Sequence, residues 1–340
     1  MLISGNAPQL YPVETFFAIL EFSDNRVLPV PYKYPLKGEW GDMLSFEFAE
    51  PIPSSIPAKI DAVYLSIVEK VFYSIQRDID AGLLRDYKTK ESNEEYNILV
   101  GFAPYGYVAI WMWNPNKSNL LSVLYGEQIE VPIEEFYPNS TEKDVSKICE
   151  KYIDRYQDVK INLKNNGLPK GDVFENYMKQ FSIRYIASLN KWDDEKNRWT
   201  AYKNSEEIPM LDYIEESLYD GTHDKLHDGG LMKFHQAGKP KKLRVQWHIG
   251  KSKYSAYFWF EDEKIREVFD KFYGAHPDTK TDFIIRIDAE QRKYELALYR
   301  YGLKEPQIIP EDVYQLLVFK NKFEDYRSEN YNQERGAWIW

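Results

Sequence analysis

Aromatic rings constrain this sequence more than any other feature: it holds 27 Tyr, 18 Phe and 9 Trp. Each ring carries a large apolar area, and Tyr and Trp add a polar group that needs a partner when buried. A Tyr-rich core and sheet surface accommodates such a load, and so does an aromatic interface. A chain of 340 residues is long enough for two domains or one large one. Cys149 is the only cysteine, so no intramolecular disulfide forms and no oxidising compartment is implied. The sequence has no run of about 18 apolar residues to span a membrane. Met1–Leu10 lacks the basic start and apolar stretch of a signal peptide. As it stands the chain reads as cytoplasmic, or periplasmic if a native leader has been removed.

Patterning divides the chain into residues 1–138, 139–240 and 241–340, and predicts an α+β fold. Two related units with antiparallel sheets plus helices are expected at the ends, joined by a mainly helical middle region. In the first unit Thr15–Phe22 and Met43–Phe48 read as strands, followed by a joint at Pro51, Pro53 and Pro57. Val63, Ile67, Val71 and Ile75 recur at four-residue spacing and predict a helix over Asp61–Leu84. Tyr96–Phe102 and Gly106–Trp113 read as strands joined by a turn at Pro104–Gly106. The middle region opens on Thr141 and Asp144, spaced as a capping box, and continues in helices over Tyr177–Leu189 and Ile208–Tyr219. The last region reads as strands Leu243–Ile249 and Tyr254–Phe260, helix Asp262–Tyr273, strands Asp282–Ile287 and Tyr294–Tyr301, and helix Glu311–Glu324. The shared order in the two end units is consistent with duplication or with convergence on one plan.

Several stretches resemble a bacterial family of proteins of unknown function, number 2931 in its series. They are Ala7–Pro8, Tyr11–Pro12–Val13–Glu14, Trp40–Gly41, Pro57 with Lys59–Ile60, and Leu65–Ser66 with Glu69 and Phe72–Tyr73. The strongest is Val100–Trp111, a strand, a Pro-Gly turn and a Val-x-x-Trp strand. The resemblance covers about residues 7–137. Family members often carry lipoprotein leaders, from which this sequence departs. The resemblance implies gene neighbourhoods of antibacterial effectors, especially phospholipases delivered by type VI secretion, where the companion is an immunity protein that binds the toxin. It assigns no catalytic residue.

Chemistry-bearing motifs do not emerge. Gly-x-Ser-x-Gly is absent, and Cys149, beside Ile148 and Tyr152 on a predicted helix, reads as a buried structural thiol. His223 and His227 would share one helix face near Asp224 and Asp228, donors that zinc accepts. Flanking glycines and the missing His-Glu-x-x-His pattern favour a solvated loop instead. Phosphate-cradling glycine loops and a calcium loop are also absent. Glu134–Glu135 and Glu215–Glu216 are adjacent acids that point apart on a helix. The expectation is therefore a non-catalytic protein with no cofactor. The alternative is a small-ligand or metal-binding protein, or an enzyme, that uses the segment Asp220–Asp228.

Charge supplies the candidate binding surface. The net charge of −10 disfavours nucleic acid and anionic lipid. Residues 204–230 hold eight acids and one lysine, whereas residues 231–253 hold seven lysines and arginines and no acid. Either the two stretches lie together and neutralise each other, or the acidic one is a recognition surface. On the second reading Ile208, Leu211, Ile214 and Leu218 anchor a helix. Glu207, Asp212, Glu215, Glu216, Asp220, Asp224 and Asp228 then meet a basic partner, the cognate effector protein.

Overall fold

The computed structural model describes residues 2–30, 35–42, 56–80, 96–114, 117–201, 210–227, 231, 233–274, 276–288, 291–322 and 328–330. It divides into two compact units, Met1–Asn176 with Asp220–Thr222, and Tyr177–Tyr219 with His223–Trp340. In the first unit β1 (Ile3–Asn6) runs parallel to β7 (Asn97–Phe102), which pairs antiparallel with β8 (Tyr107–Asn114). β8 pairs in turn with β9 (Lys117–Tyr125). A second sheet runs β10 (Glu127–Ile129), β6 (Val71–Asp78), β5 (Pro57–Ser66), β2 (Val13–Phe22), β3 (Val27–Pro29), with β4 (Pro35–Leu36) paired to β2. Leu20, Ile60, Ala62 and Tyr64 of this sheet share a core with Ile98, Val100, Phe102 and Ile110 of the first. The second sheet's opposite face is also covered. There Leu65 and Phe72 pack with Ile133 and Phe136 of α1 (Ile133–Phe136) and with Ile148 and Cys149 of α2 (Val145–Arg155). Asp144, not Thr141, caps α2, its carboxylate accepting the Ser146 N–H. α3 (Gln157–Asn166) and α4 (Val173–Tyr177) complete the helical segment.

In the second unit β14 (His223–Leu226), β13 (Met210–Leu218), β16 (Pro240–Ile249), β17 (Ser252–Phe260), β21 (Tyr314–Lys322) and β22 (Ser328–Asn330) form an antiparallel series. The other sheet orders β12 (Arg198–Thr200), β11 (Phe181–Asp193), β18 (Thr281–Asp288), β19 (Tyr294–Arg300) and β20 (Gln307–Ile308), with β15 (His235–Ala237) on β11. Ile265, Phe269 and Phe272 of α5 (Asp262–Tyr273) join a core built from both sheets, including Tyr185, Phe283, Val245 and Phe258.

Strands dominate both units, so the α+β expectation with a helical middle is overturned: helix ends at Tyr177 and β11 begins four residues on. The predicted helix Asp61–Leu84 is the hairpin of β5 and β6, turned through Lys70 at φ 63°, with residues 81–84 outside those described. A strand covered on both faces loses the polar–apolar alternation that marks a strand, and the remaining apolar run fits helical spacing equally well. The predicted helix Tyr177–Leu189 is largely β11, and Ile208–Tyr219 is β13 from Met210 to Leu218, with residues 208–209 outside those described. The predicted helix Glu311–Glu324 is a 3₁₀ turn, Glu311–Val313, followed by β21, with residues 323–324 outside those described. The strands predicted at Thr15–Phe22, Tyr96–Phe102, Gly106–Trp113, Leu243–Ile249, Tyr254–Phe260, Asp282–Ile287 and Tyr294–Tyr301 all form, as does the helix Asp262–Tyr273. Met43–Phe48 lies outside the described residues. No helix among those described is long and apolar enough to cross a membrane.

Gly101 shows how tightly the first unit is packed. A Cβ there would lie 2.6 Å from the buried Trp111 ring and 2.7 Å from Trp40, whose rings meet edge to face at 4.9 Å. Trp111 is further held by its indole N–H donating to the Asp220 carbonyl at 3.0 Å. Gly101→Ala is therefore expected to destabilise the protein by about 1–3 kcal/mol through overpacking, measured as a lower urea midpoint at unchanged slope.

Candidate functional site

The site begins with an irregularity in β2. Its pairing with β5 steps from Thr15↔Tyr64 to Phe17↔Val63, which leaves Phe16 as an extra residue. Such a bulge bends the strand and re-aims side chains. Glu14 stands opposite Leu65, a member of the helix-side cluster, and Phe16 packs against that same cluster. Between β2, α1 and α2 lies a cavity of about 660 Å³, lined by Glu14, Phe16, Phe136, Tyr137, Tyr152 and Arg155 among others. Phe16 and Phe136 are 5.4 Å apart, and Phe136 meets Tyr137 edge to face at 4.5 Å.

Glu14 is 5% exposed. The Tyr137 hydroxyl donates to its Oε2 at 2.5 Å, and Tyr152 lines the same hollow. Burial raises the Glu14 pKa above the usual carboxylate range, and the two phenols offset part of that rise. Burial and the neighbouring carboxylate both push Tyr137 and Tyr152 upward, which keeps them neutral donors at physiological pH. The Cys149 thiol on α2 is pushed up to about 12 by burial, and a thiol at that value is protonated at neutral pH. A carboxylate at the wall of an aromatic hollow suits a cationic group, which gains a charge partner and aromatic faces together.

Of the seven acids selected from the charge pattern, the five described ones do not converge on one surface. Glu207 and Asp228 lie outside the described residues. Asp212 Oδ1 pairs with His248 Nδ1 at 2.6 Å. Glu215 stands opposite Arg244 across β13 and β16 and pairs with it at 3.4 Å. Glu216, expected to face solvent, is 2% exposed; it accepts from the Tyr185 hydroxyl at 2.6 Å and lies 3.1 Å from His235 Nε2. Asp220 is fully buried and accepts from the Thr222 N–H and hydroxyl. Asp224 accepts from the Lys225 N–H. The acidic β13 thus lies beside the basic β16, the neutralising arrangement. Ile214 and Leu218 do anchor this segment, but from a strand face shared with Glu216. The solvated loop expected around His223 and His227 is instead β14 with His227 just beyond it. Four residues of extended chain span ~13 Å, too far for both imidazoles to meet one zinc.

A family model described as "Protein of unknown function (DUF2931)" matches residues 2–171. The chain belongs to this family. No curated protein and no solved structure matches it. In this DUF2931 chain every residue lining the Glu14 cavity falls inside the matched segment. The Tyr11–Glu14 stretch that carries part of the resemblance delivers Glu14 itself. The Val100–Trp111 stretch forms β7, the turn with Tyr105 at φ 62° and Gly106 at φ 76°, and the start of β8.

Glu14, Tyr137 and Tyr152 were not selected from the sequence. One available signal was an acid inside the apolar run Val13–Phe17, within a stretch already carrying the family resemblance. A carboxyl whose folded pKa exceeds its unfolded value costs nothing below the unfolded value, near 4.5, and progressively more as pH rises through the folded value. The melting temperature of Glu14→Gln relative to wild type is therefore expected to be more favourable at pH 7 than at pH 4.

His235 carries the opposite sign. Burial alone lowers its pKa, but the hydrogen bond and charge of Glu216 leave it raised. The stability this pair contributes is fully present below about 6.5 and is lost as pH rises through the folded value. Glu216→Ala should cost about 1–3 kcal/mol, more at pH 6 than at pH 8, in urea unfolding. Glu215→Lys, which breaks a half-exposed pair, should cost less than about 1 kcal/mol.

Proposed function

We propose that this protein works by binding, that the Glu14 cavity receives a cationic side chain of a protein partner, and that the partner is an antibacterial effector of the lipase class. The protein would then be an immunity-type inhibitor, a β-rich scaffold that blocks its effector sterically. The observation that carries the reading is the 5% exposed Glu14 carboxylate at an aromatic-walled cavity of about 660 Å³. A buried carboxylate gains most from a partner that brings the compensating charge, and a lysine or arginine does so. The protonated state of the Cys149 thiol supports binding over nucleophilic chemistry. The effector class rests on the family resemblance alone.

The test is co-purification with the product of the adjacent gene, followed by binding kinetics of the full chain. A stable complex is expected, with the Kd raised about 10- to 100-fold in Glu14→Gln, chiefly through faster dissociation. Failure of the two proteins to associate, or equal affinity in a folded Glu14→Gln, would sink the proposal.

A further inference from the structure

The second unit holds a separate hollow, also of about 660 Å³, which lies outside the family-matched segment. We infer that it binds a phosphate group, held among Lys225, His227, His248 and Lys253. This inference does not rest on the Glu14 reading.

All four residues line this one hollow. The β16–β17 hairpin sets His248 directly opposite Lys253. Lys225 comes from the neighbouring β14 and His227 from the residue just after it. Tyr213 of β13 lies beneath, its ring centroid 4.1 Å from the Lys225 ammonium and 5.8 Å from the His227 ring. The ring beneath Lys225 favours its charged form, and the N–H donors on the side away from the ring can meet a ligand.

The charges do not cancel locally. Asp212 is the one acid lining this hollow among the described residues, and both of its oxygens are engaged. Oδ1 lies 2.6 Å from His248 Nδ1, and Oδ2 accepts from Gln246 Nε2 at 3.2 Å. Gln246 is fixed in turn, its Oε1 accepting from the Tyr213 hydroxyl at 2.9 Å. Asp212 therefore acts as an orienter that holds His248 by Nδ1 and leaves Nε2 as the position that meets a ligand. Lys253 has no ion pair among the described residues, and Glu215, which stands opposite Lys225 on β14 and Arg244 on β16, pairs with Arg244 at 3.4 Å. Two ammonium groups and two imidazoles then face one already committed carboxylate. Compact oxyanions with several acceptor oxygens suit such a donor set.

The same balance selects for ligand size. The whole chain carries −10, which opposes a long polyanion such as a nucleic acid strand. A single phosphate group senses the local donors, because charges beyond ~8 Å are screened at physiological salt. Free phosphate, a nucleotide and a phospholipid headgroup share the chemistry that the hollow recognises.

Calorimetry and imidazole ¹⁵N NMR on the full chain test the assignment, with inorganic phosphate, adenosine monophosphate and glycerol phosphate as separate probes. Inorganic phosphate is expected to bind one to one and to shift the His248 signals. Lys253→Gln and His248→Gln should each weaken it about tenfold at unchanged melting temperature, while Lys253→Arg retains binding. A nucleotide source makes adenosine monophosphate the tightest probe, a headgroup source glycerol phosphate, and the free ion leaves all three equal. The inference is overturned if phosphate gives no heat and no shift at about 10 mM, a concentration that detects even millimolar affinity. It is overturned equally if both glutamine variants bind like wild type, or if a single-stranded oligonucleotide binds more tightly than every monophosphate.

Discussion

Burial of one sheet on both faces organises the first unit. β5 and β2 contribute Leu20, Ile60, Ala62 and Tyr64 to the core shared by the two sheets, while Leu65 and Phe16 serve the cluster under α1 and α2. A strand in that position has no solvent side on which to place a polar group without a partner. Glu14 is the buried charged residue of β2 and β5, beside the smaller buried hydroxyls of Thr15 and Ser66, and its surroundings follow from that charge. Tyr137 donates to it, an aromatic hollow that includes Tyr152 stands beside it, and the strand is bulged two residues further on. Local rules broken together at one place, and compensated there, mark sites kept for function rather than for stability.

The second unit handles its polar groups in another way. Glu216 points inward with Ile214 and Leu218 and is satisfied by Tyr185 and His235, so a charged strand is stitched into an aromatic core. On the other face of the same sheet, Arg244 lies over Tyr213 and Tyr257, and Lys242 over Tyr257 and Trp259. The heavy aromatic load is thus used twice, once as core volume and once as a surface on which lysine and arginine stems rest. Among the described residues, β13 lies beside the basic β16, and Glu215 is paired with Arg244 across them.

Legibility varied with how many neighbours an element has. Strands of the second unit such as Tyr254–Phe260, and the amphipathic helix Asp262–Tyr273, were readable because one face meets the core and the other does not. β5 and β6 were misread because two cores erased the alternation. β13 was misread because Glu216 occupies a core position, so that Leu211, Ile214 and Leu218 are left at helical intervals. The residues of the two proposed binding sites were the least legible. Glu14, Tyr137 and Tyr152 come from three separate elements, and His248 and Lys253 matter through their neighbours on β13 and β14.

The amino-acid sequence by itself determined the absence of an intramolecular disulfide, the aromatic core chemistry, the family and the strands with one covered face. These are set by composition and by short-range periodicity, which need no knowledge of what lies across the sheet. Tertiary structure decided the predominance of strands, the burial of Glu14 and Glu216, and the pairing of the acidic strand with the basic one. Each of these depends on which surface a residue meets from a distant part of the chain, and periodicity along one segment carries no record of that partner.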